Sequence, residues 1–378
     1  MKILFVAGGS MATIFSMGAL ASAARNAGHH VFVSSTEEMM PTIAGIGLPA
    51  VPFTDLSIEH FTSKDRAGNP VEFTGGGAAE LSFTGAWFGR MAAAGLGPLR
   101  RLAESWRPDV VVGGTLSYVA PLLAAHLGVP FVRQAWDISD TEEIAAAAQE
   151  ELRPELDELG LSDLPDPDLF VDICPPSLRA PGAQSAQFMR WVPANPQRRL
   201  EPWMYDKGTR RRVCITSGTR VALADSGGFL RALVKGVSPL DVELVVAAPG
   251  ETARELQAEF PDVRAGWFPL DVVAPTCDLI LHHAGGSTGM TAMQAGVPQL
   301  LIPQGVNFVA GSRRIADFGA AITLLPGDDT PDAVAAACQE LLTNSSYAEQ
   351  AGRLAEEIAG LPLPSEVVGV IENLSAAN

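Results

Sequence analysis

Cysteine is scarce in this 378-residue chain: the four present, Cys174, Cys214, Cys277 and Cys338, lie far apart with no CxxC pair. That spacing argues against a disulfide framework or a zinc site and suits a reducing compartment, so a cytoplasmic location is expected. Basic residues are also few. The 26 Lys and Arg against 43 Asp and Glu give a net charge of −17, and nothing offers the basic face that nucleic acid or an anionic membrane requires. Charged residues make up only 18% of the chain while hydrophobic ones reach 47%, which excludes disorder and describes a well-cored protein. The length is that of two domains of similar size.

Long unbroken apolar runs are missing as well, although two stretches imitate them. Ile3 to Ala24 carries no charge, follows Lys2 and ends in Ala21-Ser22-Ala23, the outline of a secretory signal. Internally, however, Ile3 to Ala7 reads as a buried strand stopped by Gly8-Gly9-Ser10. Ile14 to Asn26 then forms a helix ending at Gly28, and Val31-Phe32-Val33 a second strand. This is a βαβ unit whose first strand could not be removed. Val110 to Val132 also lacks Lys, Arg, Asp and Glu, but Gly113-Gly114, Pro121 and Pro130 divide it into strand, helix and strand, so no membrane insertion is expected.

What is abundant is alternation. Short Val/Ile/Leu runs (Ile3 to Ala7, Val31 to Ser34, Ala50 to Phe53, Val110 to Val112, Phe131 to Arg133) alternate with Ala/Leu-rich helical windows. The plan repeats with Val213 to Thr216, Val242 to Ala247, Val263 to Trp267, Leu279 to His282, Leu300 to Pro303 and Ala321 to Leu325. Parallel sheets with crossover helices follow, so the fold class is α/β with two Rossmann-like, doubly wound domains. The expected division is 1–195 and 211–360, with 196–210 as a Pro- and Arg-bearing linker. Asp55 to Gly77 is a long irregular segment inside the first domain, a length that is usually functional.

The sharpest feature is the run from Cys277 to Pro298. A strand ends at His282-His283, a Gly-Gly-Ser-Thr turn follows, and a helix starts there and stops at Gly296. Backbone N–H groups, hydroxyls and the positive end of a helix dipole therefore meet at the carboxyl end of a parallel strand, where a phosphate or diphosphate would bind. A tight strand-to-helix turn alone would look similar. The paired histidines narrow the choice, since one can point at a diphosphate oxygen while His282 packs under the sheet.

His282-His283-Ala284-Gly285-Gly286-Ser287-Thr288 ahead of Ala295-Gly296-Val297-Pro298-Gln299-Leu300-Leu301-Ile302-Pro303, preceded by Trp267-Phe268-Pro269-Leu270, resembles the donor-binding region of nucleotide-sugar glycosyltransferases of the GT-B class. The branch is the one that decorates antibiotics, and the likeness is greatest to the deoxysugar transferases of angucycline pathways such as those of landomycin and urdamycin. The resemblance implies an acceptor-binding first domain, a donor-binding second domain, and a C-terminal helix, 361–378, crossing back to the first. It also implies an inverting, metal-independent deoxyhexosyl transferase using a dTDP-activated 2,6-dideoxyhexose, olivose-like, as co-substrate and a polyketide aglycone as acceptor, with a homodimer left open.

Residue by residue, the resemblance places Trp267 beside the nucleobase, with the Phe268 backbone reading its edge; an ordinary core Trp is the plain alternative. His283 would hold the β-phosphate. The N–H groups of Gly285, Gly286, Ser287 and Thr288 would cradle the diphosphate, and the Ser217-Gly218-Thr219 turn would close on it from the other side. Where many relatives carry Asp-Gln against the sugar, this chain has Asn307-Phe308, which leaves fewer polar partners and suits a dideoxy sugar.

The family's usual histidine after the first strand is also missing: the chain reads Gly9-Ser10-Met11. A general base is still needed, and Asp137 after the strand ending near Arg133 is the candidate, with Ser10 orienting the acceptor. Local capping is the alternative for Asp137, but Ser139-Asp140-Thr141-Glu142 reads as a capping box that uses Ser139. The acceptor wall is expected from Ile58, His60, Phe61 and Phe73, with Phe83, Trp87, Met91 and Trp136 behind. Asp166-Pro167-Asp168 reads as a solvated turn and no metal is expected. A catalytically silent partner of such a transferase and a sugar-nucleotide epimerase are the competing functions. O-transfer is mildly preferred over C-transfer.

Overall fold

The computed structural model describes residues 1–73, 75–218 and 227–376. It divides into two compact units. The first comprises Met1–Cys174, Ala180–Ala194 and the chain from Leu361 onward, and the second comprises Pro175–Arg179 and Asn195–Gly360.

The first unit is built on a seven-stranded parallel sheet of β1 (Lys2–Val6), β2 (His30–Thr36), β3 (Ala50–Thr54), β4 (Val110–Gly114), β5 (Phe131–Gln134), β6 (Leu169–Asp172) and β7 (Gln187–Phe188). Their order is β3-β2-β1-β4-β5-β6-β7. Ile3 pairs with Val31 on one side and Val110 on the other, so the segment that imitated a signal peptide supplies the buried centre of the sheet. Runs of Val, Ile and Leu suit strands covered on both faces. The final helix, Pro364–Ala376, packs on the helix Met11–Asn26, and His29 Nε2 lies 2.8 Å from Glu372 Oε1.

The second unit has a six-stranded parallel sheet of β8 (Arg212–Thr216), β9 (Glu243–Ala247), β10 (Arg264–Gly266), β11 (Leu279–His282), β12 (Gln299–Leu301) and β13 (Ala321–Thr323), in the order β10-β9-β8-β11-β12-β13. Successive residues of β8 enter opposite cores: Val213 and Ile215 join Leu230, Leu279 and Leu281, whereas Cys214 joins Phe268, Ile280 and Ala292. In both sheets the strand order reverses beside the first strand, at β1/β4 and β8/β11. The crevice outside the carboxyl ends of the strands at such a point is where doubly wound sheets take ligands.

Three expectations change. Residues 196–210, read as a linker, pack on the second unit: the helix Pro202–Tyr205 buries Met204, and the buried Arg212 guanidinium bonds Trp203 O and Asp206 O. Asp55 to Gly77 is partly ordered, because Ser57 caps the helix Ile58–Ser63 and the Asp65 carboxylate accepts from Ala67 and Asn69 N–H. Asp168, read as part of a solvated turn, instead exchanges bonds with Phe131 N (2.8 Å) and O (2.9 Å), clipping β6 into register with β5.

Candidate functional sites in the two units

In the second unit, β11 delivers His282 and His283 to the end of the sheet. Odd and even side chains of a strand face opposite ways, so the two imidazoles part company, with ring centroids 6.2 Å apart. His282 is fully buried and bonds Gln299 Oε1 at 2.8 Å. Burial drives its pKa down to about 4, against a smaller upward pull from Gln299, so the ring is neutral at pH 7 and serves packing. His283 is half-buried at the head of the turn.

Ala284 follows with φ +61, the one non-glycine positive φ among the described residues. Such strain collects at functional turns. Gly285 caps the helix Gly286–Gln294, whose first turn carries no acidic residue. The N–H groups of Gly286, Ser287 and Thr288 stand in the first turn, before intrahelical acceptors begin, and a helix start of this kind is a place where anions can bind.

Two glycines give His283 its place. A Cβ on Gly285 would stand 2.1 Å from His283 Nε2, and one on Gly218, itself at φ +61, would stand 2.5 Å from His283 Cε1. Ser217 is buried, with its hydroxyl donated to Gly218 O at 3.3 Å, and the bare Gly218 backbone lies against the His283 ring. Thr219 lies outside the described residues. The His283 carbonyl accepts from Gln304 N at 3.4 Å, which ties the turn Val306–Phe308, with half-buried Asn307 and Phe308, to the same end of the sheet. Trp267 is 43% exposed while Phe268 is buried at 5%, edge-on to Trp203. Gly218, Trp267, His283, Asn307 and Phe308 thus all follow the carboxyl ends of strands of the same sheet.

In the first unit, Gly8-Gly9-Ser10 follows β1 and leads into the helix Met11–Asn26, with Ser10 as an N-cap whose side chain makes no capping bond. Trp136 lies against this turn: a Cβ on Gly8 would be 3.0 Å from Trp136 Cη2. Its peptide is held on both sides, the N–H donating to Thr115 Oγ1 (2.9 Å) and the carbonyl accepting from Ser16 Oγ (3.1 Å). Asp137 is therefore presented by an anchored backbone.

The capping-box expectation fails. The helix is Glu142–Glu151 with Thr141 at its cap, and Ser139 instead donates its N–H to Asp137 Oδ1 at 2.8 Å. The Ser139 N–H that the Glu142 carboxylate would take in a capping box goes instead to the carboxylate two residues before it, as in a local Asx turn.

The aromatic set divides. Phe61, Trp87, Met91 and Trp136 are buried, with Trp87 stacked on Phe88 at 3.7 Å, whereas Ile58, His60 and Phe83 are half-buried and Phe73 is exposed. Ile58 reaches Gly9: a Cβ there would be 2.8 Å from Ile58 Cγ1. Beneath lies a small apolar cavity lined by Phe53, Phe88, Met91, Leu116 and Tyr118, of which only Met91 was anticipated. Burial raises the Tyr118 phenol above its ordinary range, and its hydroxyl has no hydrogen-bond partner among the described residues. Among those residues no group of three His, Cys, Asp or Glu is placed to hold a metal ion, and no helix is long and apolar enough to cross a membrane.

Residues 22–218 match the family described as erythromycin biosynthesis protein CIII-like, N-terminal domain, and residues 231–374 match its C-terminal domain. The chain belongs to this family of GT-B antibiotic glycosyltransferases. It is similar to the L-demethylnoviosyl transferase of Streptomyces niveus, 32% identical over 97% of this chain and 96% of that one. The aclacinomycin-T 2-deoxy-L-fucose transferase of Streptomyces galilaeus is 32% identical over 72% of this chain and 68% of that protein. Among solved structures, the Streptomyces sp. SF2575 glycosyltransferase SsfS6, complexed with thymidine diphosphate, superposes with a TM-score of 0.88 at 37% identity, covering 99% of each chain. The chain is therefore an enzyme of the glycosyltransferase class.

Proposed function

We propose that this enzyme transfers a 2,6-dideoxyhexose, olivose-like, from dTDP to an aromatic polyketide aglycone of the angucycline type in the cytoplasm, with inversion at the anomeric carbon and without a metal. The observation that carries the donor half is the His283 turn, an anion seat formed by a helix start, a half-buried imidazole and the bare Gly218 backbone. The thymidine diphosphate bound by SsfS6 supports the nucleotide, and the 2-deoxy sugar named for the Streptomyces galilaeus relative supports the sugar class, as does Phe308 where a hydroxyl-binding residue would favour glucose.

In this reading the acceptor oxygen forms its bond to the anomeric carbon as the bond to the diphosphate oxygen breaks. Asp137 takes the acceptor's proton. His283 and the N–H groups of Gly285, Gly286, Ser287 and Thr288 take the charge that develops on the leaving diphosphate. Ser10 orients the acceptor. Trp267 and Phe268 seat the thymine, and Asn307 and Phe308 face the sugar.

The test incubates the protein with dTDP-olivose and tetracyclic phenols and reads the products by mass spectrometry, with and without EDTA. A product that acid cleaves back to aglycone is the O-glycoside expected; one that survives acid is a C-glycoside. Loss of activity in EDTA that magnesium restores would refute metal independence, and no product with any acceptor would favour a silent partner.

A further inference from the structure

We propose that the strap Asn195–Tyr205 forms part of the base-recognition apparatus of the second unit, with Arg198 and Asp271 as positioning residues that set nucleobase preference. This rests on the reading of Trp267 and Phe268 as the seat of the base.

The turn Trp267-Phe268-Pro269-Leu270 joins the end of β10 to the short helix Leu270–Val273. Both ends of it are tied to the strap. Arg198 Nη1 donates to Trp267 O at 2.7 Å, and the Asp271 carboxylate accepts from Asn195 Nδ2 at 2.9 Å and Gln197 Nε2 at 3.0 Å. The floor is fixed as well. Trp203 meets Phe268 edge-on at 5.4 Å, Arg212 Nη1 donates to Trp203 O at 2.9 Å, and the Arg264 guanidinium stands 4.8 Å over the Trp203 ring.

The consequence follows from the planarity of one peptide group. The Trp267 carbonyl and the Phe268 N–H share a plane and point in opposite directions, so a charge-assisted bond that fixes the first fixes the second. Phe268 N–H makes no hydrogen bond among the described residues. Arg198 therefore aims a backbone donor at the base while leaving the exposed Trp267 indole to face it. An N–H in that place can donate to the O4 of thymine but not to the N4 amino group of cytosine, which is itself a donor.

The test compares dTDP and dCDP binding by calorimetry in the unaltered enzyme, Arg198→Ala, Arg198→Lys and Asp271→Asn, with melting temperatures and with transfer kinetics for the dTDP-sugar. Arg198→Ala is expected to weaken dTDP about tenfold, to narrow the dTDP over dCDP preference, and to raise KM with kcat nearly unchanged. Asp271→Asn is expected to show a smaller version of the same, and Arg198→Lys to recover part of the preference. A merely structural Arg198 would weaken both nucleotides alike and lower the melting temperature. Unchanged base preference in a folded Arg198→Ala protein overturns the strap's role alone, whereas failure of the unaltered enzyme to bind dTDP overturns the donor reading itself.

Discussion

The His283 imidazole occupies the space that a side chain on Gly218 would need, with its Cε1 2.5 Å from where that Cβ would stand. Gly218 also sits at φ +61, where an L side chain is strained by about 1 kcal/mol. Gly218→Ala is therefore expected to push His283 off the anion seat and weaken dTDP at least tenfold by calorimetry, with only a small fall in melting temperature. Unchanged affinity would show that His283 does not face the nucleotide.

Asp137 is held by an anchored peptide, and one of its oxygens already accepts from Ser139 N–H. Asp137→Asn preserves that acceptor and removes the proposed base. We expect kcat to fall roughly 100- to 10,000-fold, with donor affinity unchanged. A loss below about threefold in steady-state turnover would move the proton-accepting role elsewhere.

Much of this was legible beforehand, and the misses have physical causes. The strand, turn and helix from Leu279 to Gln294 are visible because β11 is a continuous apolar run ending in polar residues at fixed spacing, and local pattern decides such an element. β6 and β7 are not, since Leu169–Asp172 and Gln187–Phe188 are short: β6 exists because β5 offers an edge and Asp168 clips it, and β7 because β6 then offers the next. Residues 196–210 look like a linker in sequence because Arg198, like Asn195 just before them, finds its partner about 70 residues away, which no local pattern reports.

Arg212 shows what such distant partners hold. Arg212 is 1% exposed and its guanidinium bonds Glu243, Thr276, the strap carbonyl of Trp203 and the carbonyl of Asp206 just beyond it. Arg212→Met takes the donor from buried Thr276 and from the half-buried Glu243 carboxylate and Trp203 carbonyl, a loss of about 3 kcal/mol. Urea unfolding followed by circular dichroism should show the midpoint fall accordingly; a shift under a quarter of that would mean the strap is held by packing alone.

His282 makes stability depend on acidity. Its folded pKa of about 4 lies below the ordinary value near 6.5, so the unfolded chain binds the extra proton. Stability from this group is complete above about pH 6.5 and is lost as pH falls towards 4, by on the order of 3 kcal/mol. Melting temperatures across that window should drop, and His282→Leu should start lower but show a shallower slope. Parallel slopes for the two proteins would assign the acid sensitivity to other groups.

The connectivity of the first unit carries a last consequence, for synthesis. Its sheet is laid down by Phe188, yet the helix Pro364–Ala376 that covers Met11–Asn26 follows the whole of the second unit in the chain. On the ribosome the second unit has every one of its residues before the first does, although its synthesis starts later. The earlier-made sheet must wait with one flank of Met11–Asn26 uncovered, and loss of the last helix would harm the half of the enzyme that begins the chain.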